Sequence, residues 1–360
     1  MIESSNSTSL IPARSEADVY DRQIRLWGAE AQGKLISARV LYIHVSGVSS
    51  EIIKNLVLAG IRAIICDGRP YPEAMSCTPC SFLLPDERML ECETNGFKEN
   101  GHDSSTSSEV QTKRIRRLTV ASAMQANVTE MNPLIHSCEI QETYPLASIH
   151  DDYFANFDIV VASKIGMKEA MRISKVVTSV GHKFFMVDTF GWYAVSIVDL
   201  GNDHNFRKEV GKDKLSDEMK LVPYTSLEDI ANVSLGLTTD RWYKDGPPKI
   251  WAMYRSLLHY RDMLSESHLH DNEESFINST KRFLETAEFK NPQYWGSDEE
   301  LKSLASIIHA EMSPVCAVMG GVIGNEIIKA ITGKGEPANN VLLFDGIEGS
   351  CQNFTIHSKE

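Results

Sequence analysis

One stretch near the start constrains the fold more than any other. Arg39-Val-Leu-Tyr-Ile-His-Val45 is a run of apolar and β-branched residues, the pattern of a strand buried on both faces. Val48 to Ala59 follows with helical spacing, placing Ile52, Ile53, Leu56 and Val57 on one face. Ala63-Ile-Ile-Cys-Asp67 is a second strand, ending in an acid. Strand, helix and strand joined this closely form a βαβ unit, the opening of a doubly wound α/β fold. Asp158-Ile-Val-Val-Ala162 and Lys183-Phe-Phe-Met-Val-Asp188 extend the sheet, with a helix expected over 168–180 between them. Trp192-Tyr-Ala-Val-Ser-Ile-Val198 follows too soon for a parallel crossover, so it is expected to pair antiparallel. The sheet pattern resumes at Val341-Leu-Leu-Phe344.

The intervening segments differ. Residues 1–19 are polar and Ser-rich and are expected to form a flexible tail. Asn100-Gly-His-Asp-Ser-Ser-Thr-Ser-Ser-Glu109 lies in an expected mobile insertion, 86–112. Residues 201–304 read mostly helical, with Trp242, Trp251, Tyr254, Leu257 and Leu258 as core candidates. The expected organisation is one α/β domain over 20–200 and 305–360, with a helical domain inserted at 201–304.

Charge and composition exclude some functions. A net charge of −13 argues against general nucleic-acid binding, which needs a basic surface. No uninterrupted apolar run reaches the roughly 18 residues of a membrane span. Seven scattered cysteines suit a reducing compartment better than a disulfide framework. Cys77-Thr-Pro-Cys80 is half of a zinc site at most, because no second pair completes four ligands. Lys113-Arg-Ile-Arg-Arg117 reads as a helix face or a nuclear-import element.

A working dinucleotide turn carries glycines that let the backbone approach a phosphate at a helix N-terminus. Here the turn is His44-Val-Ser-Gly-Val-Ser-Ser50, with Gly47 as its only glycine. Asp67 stands where a ribose-binding acid follows the second strand, and beside this turn it reads as a relic or a structural acid.

Two further motifs carry a family resemblance. They are Tyr20-Asp-Arg-Gln-Ile-Arg-Leu-Trp-Gly28 and Glu311-Met-Ser-Pro-Val-Cys-Ala-Val-Met-Gly-Gly-Val-Ile-Gly-Asn-Glu-Ile-Ile-Lys-Ala330. With Asn339-Asn-Val-Leu-Leu-Phe-Asp-Gly346, they resemble the adenylation domain of the ubiquitin-like-activating enzymes, a Rossmann-like fold of the ThiF/MoeB type. Within that family the likeness is to the smaller, non-thioester subunits of the heterodimeric SUMO branch. It covers most of 18–85, 113–200 and 305–350.

The resemblance implies a division of labour. A larger partner would bind Mg·ATP, adenylate the C-terminus of SUMO and carry the thioester cysteine before transfer to the conjugating enzyme. This chain would bind no cofactor alone. His44 and Ser49 replace two glycines of the family's turn, and Lys164 stands where the family places an acid that binds magnesium. Residues 139–315 contain no cysteine, so the inserted segment has no thioester nucleophile. Arg22 would act as an arginine finger on the partner's ATP, with Arg25 as the fallback. Trp27, Gly28, Gly320 and Gly321 would line the partner interface. The resemblance also implies a nuclear and cytoplasmic location. Two alternatives remain at this stage: the regulatory subunit of the NEDD8-activating enzyme, and a self-sufficient homodimeric adenylyltransferase or dehydrogenase, which would need an intact glycine turn.

Overall fold

The computed structural model describes residues 19–71, 80–85, 118–132, 134, 138–211, 214–233, 235, 248–264, 273–286 and 298–357. Most of the expected tail, all of the 86–112 insertion, the basic run 113–117, Cys77 and Trp242 lie outside them.

Among the described residues, five strands run parallel: β1 (Arg39–Ile43), β2 (Arg62–Cys66), β3 (Glu139–Gln141), β4 (Ile159–Ala162) and β5 (Lys183–Phe190). Their order is 3-2-1-4-5, so the winding reverses between β1 and β4. Three antiparallel strands continue from β5: β6 (Tyr193–Asp199), β9 (Val341–Asp345) and β10 (Ser350–Phe354). The short link between β5 and β6 permits only an antiparallel hairpin, as the spacing requires.

Each face of the sheet has its own apolar core. On one side lie α2 (Ala29–Ser37), α3 (Gly47–Leu58), α4 (Val120–Met131) and α11 (Ser313–Thr332). α3 buries Ile52, Ile53, Leu56 and Val57. Its start is fixed by a capping box in which Ser46 and Ser49 exchange side-chain and backbone hydrogen bonds. α11 has a proline in its first turn and ends on Gly333 at φ 68°. By length and composition α11 could cross a membrane, but 56% of its apolar window is buried inside this fold. Gly320 lets α11 approach α3, since a Cβ there would lie 2.3 Å from the Glu51 Cβ. Gly321 faces open space.

The other face is covered by α5 (Asp151–Phe154), α6 (Met167–Ser179), α7 (Leu227–Asn232), α8 (Lys249–Met263), α9 (Glu273–Thr286) and α10 (Asp298–Ala305). Trp251, Tyr254, Leu257 and Leu258 are buried in the same core as sheet residues Val160, Phe184 and Val195. The 201–304 segment, read as mostly helical, opens instead with a hairpin, β7 (His204–Gly211) and β8 (Lys214–Val222). Phe206 is its buried anchor, whereas Val210, Met219 and Leu221 are exposed. That outward apolar placement is why the hairpin gives no clean alternating signal.

Candidate functional site: a crevice filled by its own side chains

Open α/β sheets bind ligands beyond the carboxyl ends of the strands, where the winding reverses. Here that point lies between the β1–α3 turn and the residues after β4. The two walls are tied together by Ser46 Oγ donating to Ser163 Oγ at 3.1 Å, and by Ser163 Oγ donating to the Val187 carbonyl at 2.7 Å. His44 and Lys164, one from each wall, both have positive φ, at 51° and 55°. Glycine would adopt these conformations freely; a residue with a side chain is held there at a cost of about 1–3 kcal/mol.

An anion already occupies the helix N-terminus. Both carboxylate oxygens of Glu311 accept from the Gly47 N–H, at 3.0 and 3.1 Å. The Lys164 ammonium lies 3.3 Å from the same carboxylate, and the Glu311 side chain is fully withdrawn from solvent. A carboxylate suits this position for the reason a phosphate would: free N–H groups and the helix dipole both favour negative charge. Gly47 is needed for the same packing. A Cβ at 47 would come within 2.7 Å of the Cys80 Cβ, 2.8 Å of Glu311 Oε2 and 2.9 Å of Cys316 Sγ.

The acid at the end of β2 is also engaged. Arg69 grips Asp67 with two nitrogens, Nε to Oδ1 at 2.8 Å and Nη2 to Oδ2 at 2.6 Å. Asp67 in turn accepts from the Val45 N–H at 2.8 Å, and Arg69 donates to the Val45 carbonyl at 2.9 Å. Burial would raise the Asp67 carboxyl, but the Arg69 charge and hydrogen bonds hold it below the ordinary carboxylate range. His44 shows the opposite balance. Burial, reinforced by Arg69, pushes it down to about 4, so its imidazole is neutral at physiological pH.

Lys164 stands after β4. Its own backbone N–H donates to Asp188 at 2.8 Å, and Asp188 also receives Tyr254 and Arg261, each at 2.8 Å. A cation paired to a buried carboxylate does not fit a magnesium site, and Glu311 fills the position a phosphate would need. The crevice residues therefore do not suit Mg·ATP.

The N-terminal motif is arranged differently. Its aromatic and glycine positions anchor it. Tyr20 is buried and accepts from Asn132 Nδ2 at 2.8 Å. Trp27 donates to Gln32 at 2.9 Å, the Trp27 carbonyl accepts from Lys334, and Gly28 turns the chain into α2 at φ 85°. Between these anchors α1 (Asp21–Trp27) buries no residue of its own. Arg25 is tied to Asp21 at 2.9 Å on the helix surface. Arg22 is exposed and makes no side-chain hydrogen bond or ion pair among the described residues.

The structure thus gathers His44, Gly47, Ser49 and Asp67 in one crevice and places Arg22 outside it. Sequence reasoning missed Glu311 and Arg69 as the groups that fill the crevice. Arg69 had a local signal, a cation two residues after the strand-ending acid. Glu311 acts on Gly47 from 264 positions away and has no such signal.

Comparison with known proteins bears on this arrangement. The sequence model of the ThiF family matches residues 111–360. Curated relatives named SUMO-activating enzyme subunit 1 align along nearly the whole chain. The Danio rerio protein is 26% identical, covering 97% of this chain and 97% of its own length. The Dictyostelium discoideum protein is 27% identical over 93% and 92%, and the Homo sapiens protein 24% identical over 94% and 94%.

Proposed function

Since the chain belongs to the ThiF family, we propose that it is the smaller, non-thioester subunit of a heterodimeric SUMO-activating enzyme. In this reading it holds no nucleotide. A larger partner binds Mg·ATP, adenylates the C-terminal glycine of SUMO and carries the thioester cysteine that passes SUMO to the conjugating enzyme. Attack of the SUMO carboxylate on the α-phosphate forms a P–O bond as pyrophosphate departs. The present chain supplies Arg22 to that site. A guanidinium is planar, always charged and multidentate, which suits the oxygens of a departing pyrophosphate.

One observation carries the reading: the crevice cations Lys164 and Arg69 are paired to buried carboxylates, while Arg22 is presented on an anchored helix with no partner among the described residues. The partner's surface is met by the same side of the sheet. There α11 exposes Ala317, Val318 and Gly321, and Leu26, Leu58 and Phe82 are also exposed. Trp27 and Gly28 set the angle of α1, and Gly320 sets the height of α11 on α3. Nuclear and cytoplasmic placement belongs to the same proposal.

Reconstitution tests it. ATP–pyrophosphate exchange dependent on SUMO is expected only when this chain and the larger subunit are combined. Exchange by this chain alone, or exchange by the pair with NEDD8 and not SUMO, would contradict the proposal.

A further inference from the structure

A second concave site lies at the opposite end of the sheet. A cavity of about 470 Å³ is bounded by α2, the end of α6, the start of β5, the hairpin β7–β8 and the end of α11. Two acids, Glu30 and Asp203, and four cations line it, the cations being Lys34, Lys183, Arg207 and Lys334. Two of the cations have partners. Lys34 pairs with Glu30 at 3.2 Å, and Lys334 donates to the Trp27 carbonyl. Lys183 and Arg207 make no side-chain hydrogen bond or ion pair among the described residues. Lys183 is half-buried, and burial lowers its ammonium below the ordinary lysine range. Beside them His204 is 5% exposed, and its Nε2 has no hydrogen-bond partner among the described residues. Burial and the neighbouring Lys183 push His204 down to about 4, leaving it neutral.

These cations are not needed to satisfy the helix ends nearby. The last turn of α6 is closed by Gly181 N–H to the Thr178 carbonyl at 3.0 Å and His182 N–H to the Val177 carbonyl at 3.1 Å. That of α11 is closed by Gly333 N–H to the Lys329 carbonyl and Thr332 Oγ1 to the Ile328 carbonyl, both at 2.8 Å. With Glu30 engaged by Lys34, the four cations outnumber the two acids of the lining, and among the described residues Lys183 and Arg207 form no ion pair and His204 Nε2 has no partner, which leaves room for an external anion. Ala31, Met219, Ala330 and Ile331 add an apolar wall.

We propose that this cavity binds a small polyphosphate anion, free or attached to an organic body, held by Lys183, Arg207 and His204. The volume falls within the range of small-molecule pockets and exceeds what a single phosphate fills.

The test is titration of the full-length chain with pyrophosphate in magnesium-free buffer, read by calorimetry and by the imidazole resonances of His204. Saturable binding that shifts His204 is expected. Arg207→Gln and Lys183→Gln should each weaken it about tenfold or more, the loss of one charge-assisted contact. Arg207 is exposed and its hairpin bonds to Gly333 and Gly335 run through the backbone, so that variant keeps the fold. A parallel titration with ADP identifies the source: tighter binding of ADP indicates an organic phosphate seated on the apolar wall, and equal binding indicates the free anion. No saturable binding, binding that leaves His204 unmoved, or binding undiminished in Arg207→Gln would overturn the proposal.

Discussion

The switch-point crevice and helix α1 use charge in opposite ways. In the crevice, Glu311, Lys164, Asp67 and Arg69 are withdrawn from water and paired with one another. On α1, Arg22 is exposed and has no partner among the described residues, while Tyr20 and Trp27 hold the helix in place. The crevice has the position of a nucleotide site, yet its charges serve the fold. The helix stands outside that crevice, yet it presents a charge that another molecule can use. Chemical capacity here follows from which charges are left available, not from where the fold family ordinarily binds ligands.

The contrast breaks if the crevice charges prove dispensable to the fold. The largest effect is expected from Arg69→Met, which leaves Asp67 buried without its counterion. Breaking a buried pair this way costs about 3–5 kcal/mol, read as a lower urea midpoint. A double variant that also replaces Asp67 with Leu should recover much of the loss, and equal instability of both would show that Arg69 acts through something other than Asp67.

His44 sharpens the comparison through pH. Unfolded, a histidine titrates near 6.5; folded, His44 sits near 4. Its stabilisation is complete above about 6.5 and is lost as pH falls towards 4, because only the unfolded chain takes up the proton in that window. The loss amounts to about 3 kcal/mol at most. His44→Asn tolerates the positive φ and removes the titration, so its stability should fall less steeply between pH 6.5 and 4. An unchanged slope would mean that His44 is not held neutral.

Gly47→Ala is expected to cost about 1–3 kcal/mol by overpacking, because the added methyl meets Cys80, Glu311 and Cys316 within 3 Å. A neutral melting temperature would mean that the turn yields and the crevice is looser than described. The smallest effect belongs to Arg25→Ala. Its ion pair with Asp21 is exposed and lies within one helix, an arrangement worth almost nothing. Stability and pyrophosphate exchange by the heterodimer should both stay at wild-type values, and slowed exchange would move the finger from Arg22 to Arg25.

The sheet was legible where each strand or helix declares itself. β1, α3 and β2 follow from unbroken apolar runs around one amphipathic helix, and β6 from its closeness to β5. β3 has only three residues, none fully buried, so no periodicity marks it. The hairpin β7–β8 carries charges on both strands and exposes three of its apolar residues, which hides its alternation. Of the crevice, the side chains that crowd the turn were legible, because a missing glycine is visible locally. The carboxylate of Glu311 was not, because its partner is set by the tertiary packing of α11 on α3. The state of Arg22 was not legible either: sequence places it on a helix, and only the fold shows that Arg25 is tied to Asp21 while Arg22 is exposed with no partner among the described residues.

Arg22→Ala in the reconstituted heterodimer tests the central claim most directly. The measurement is ATP–pyrophosphate exchange at saturating ATP and SUMO, with gel filtration to verify assembly. Loss of one charge-stabilising donor typically costs roughly 2.7–4 kcal/mol, about 10²–10³ in rate. The account predicts a loss of that order with the heterodimer intact, and only partial recovery in Arg22→Lys, whose point charge lacks the planar fork. Exchange at the wild-type rate by an intact Arg22→Ala heterodimer would contradict it.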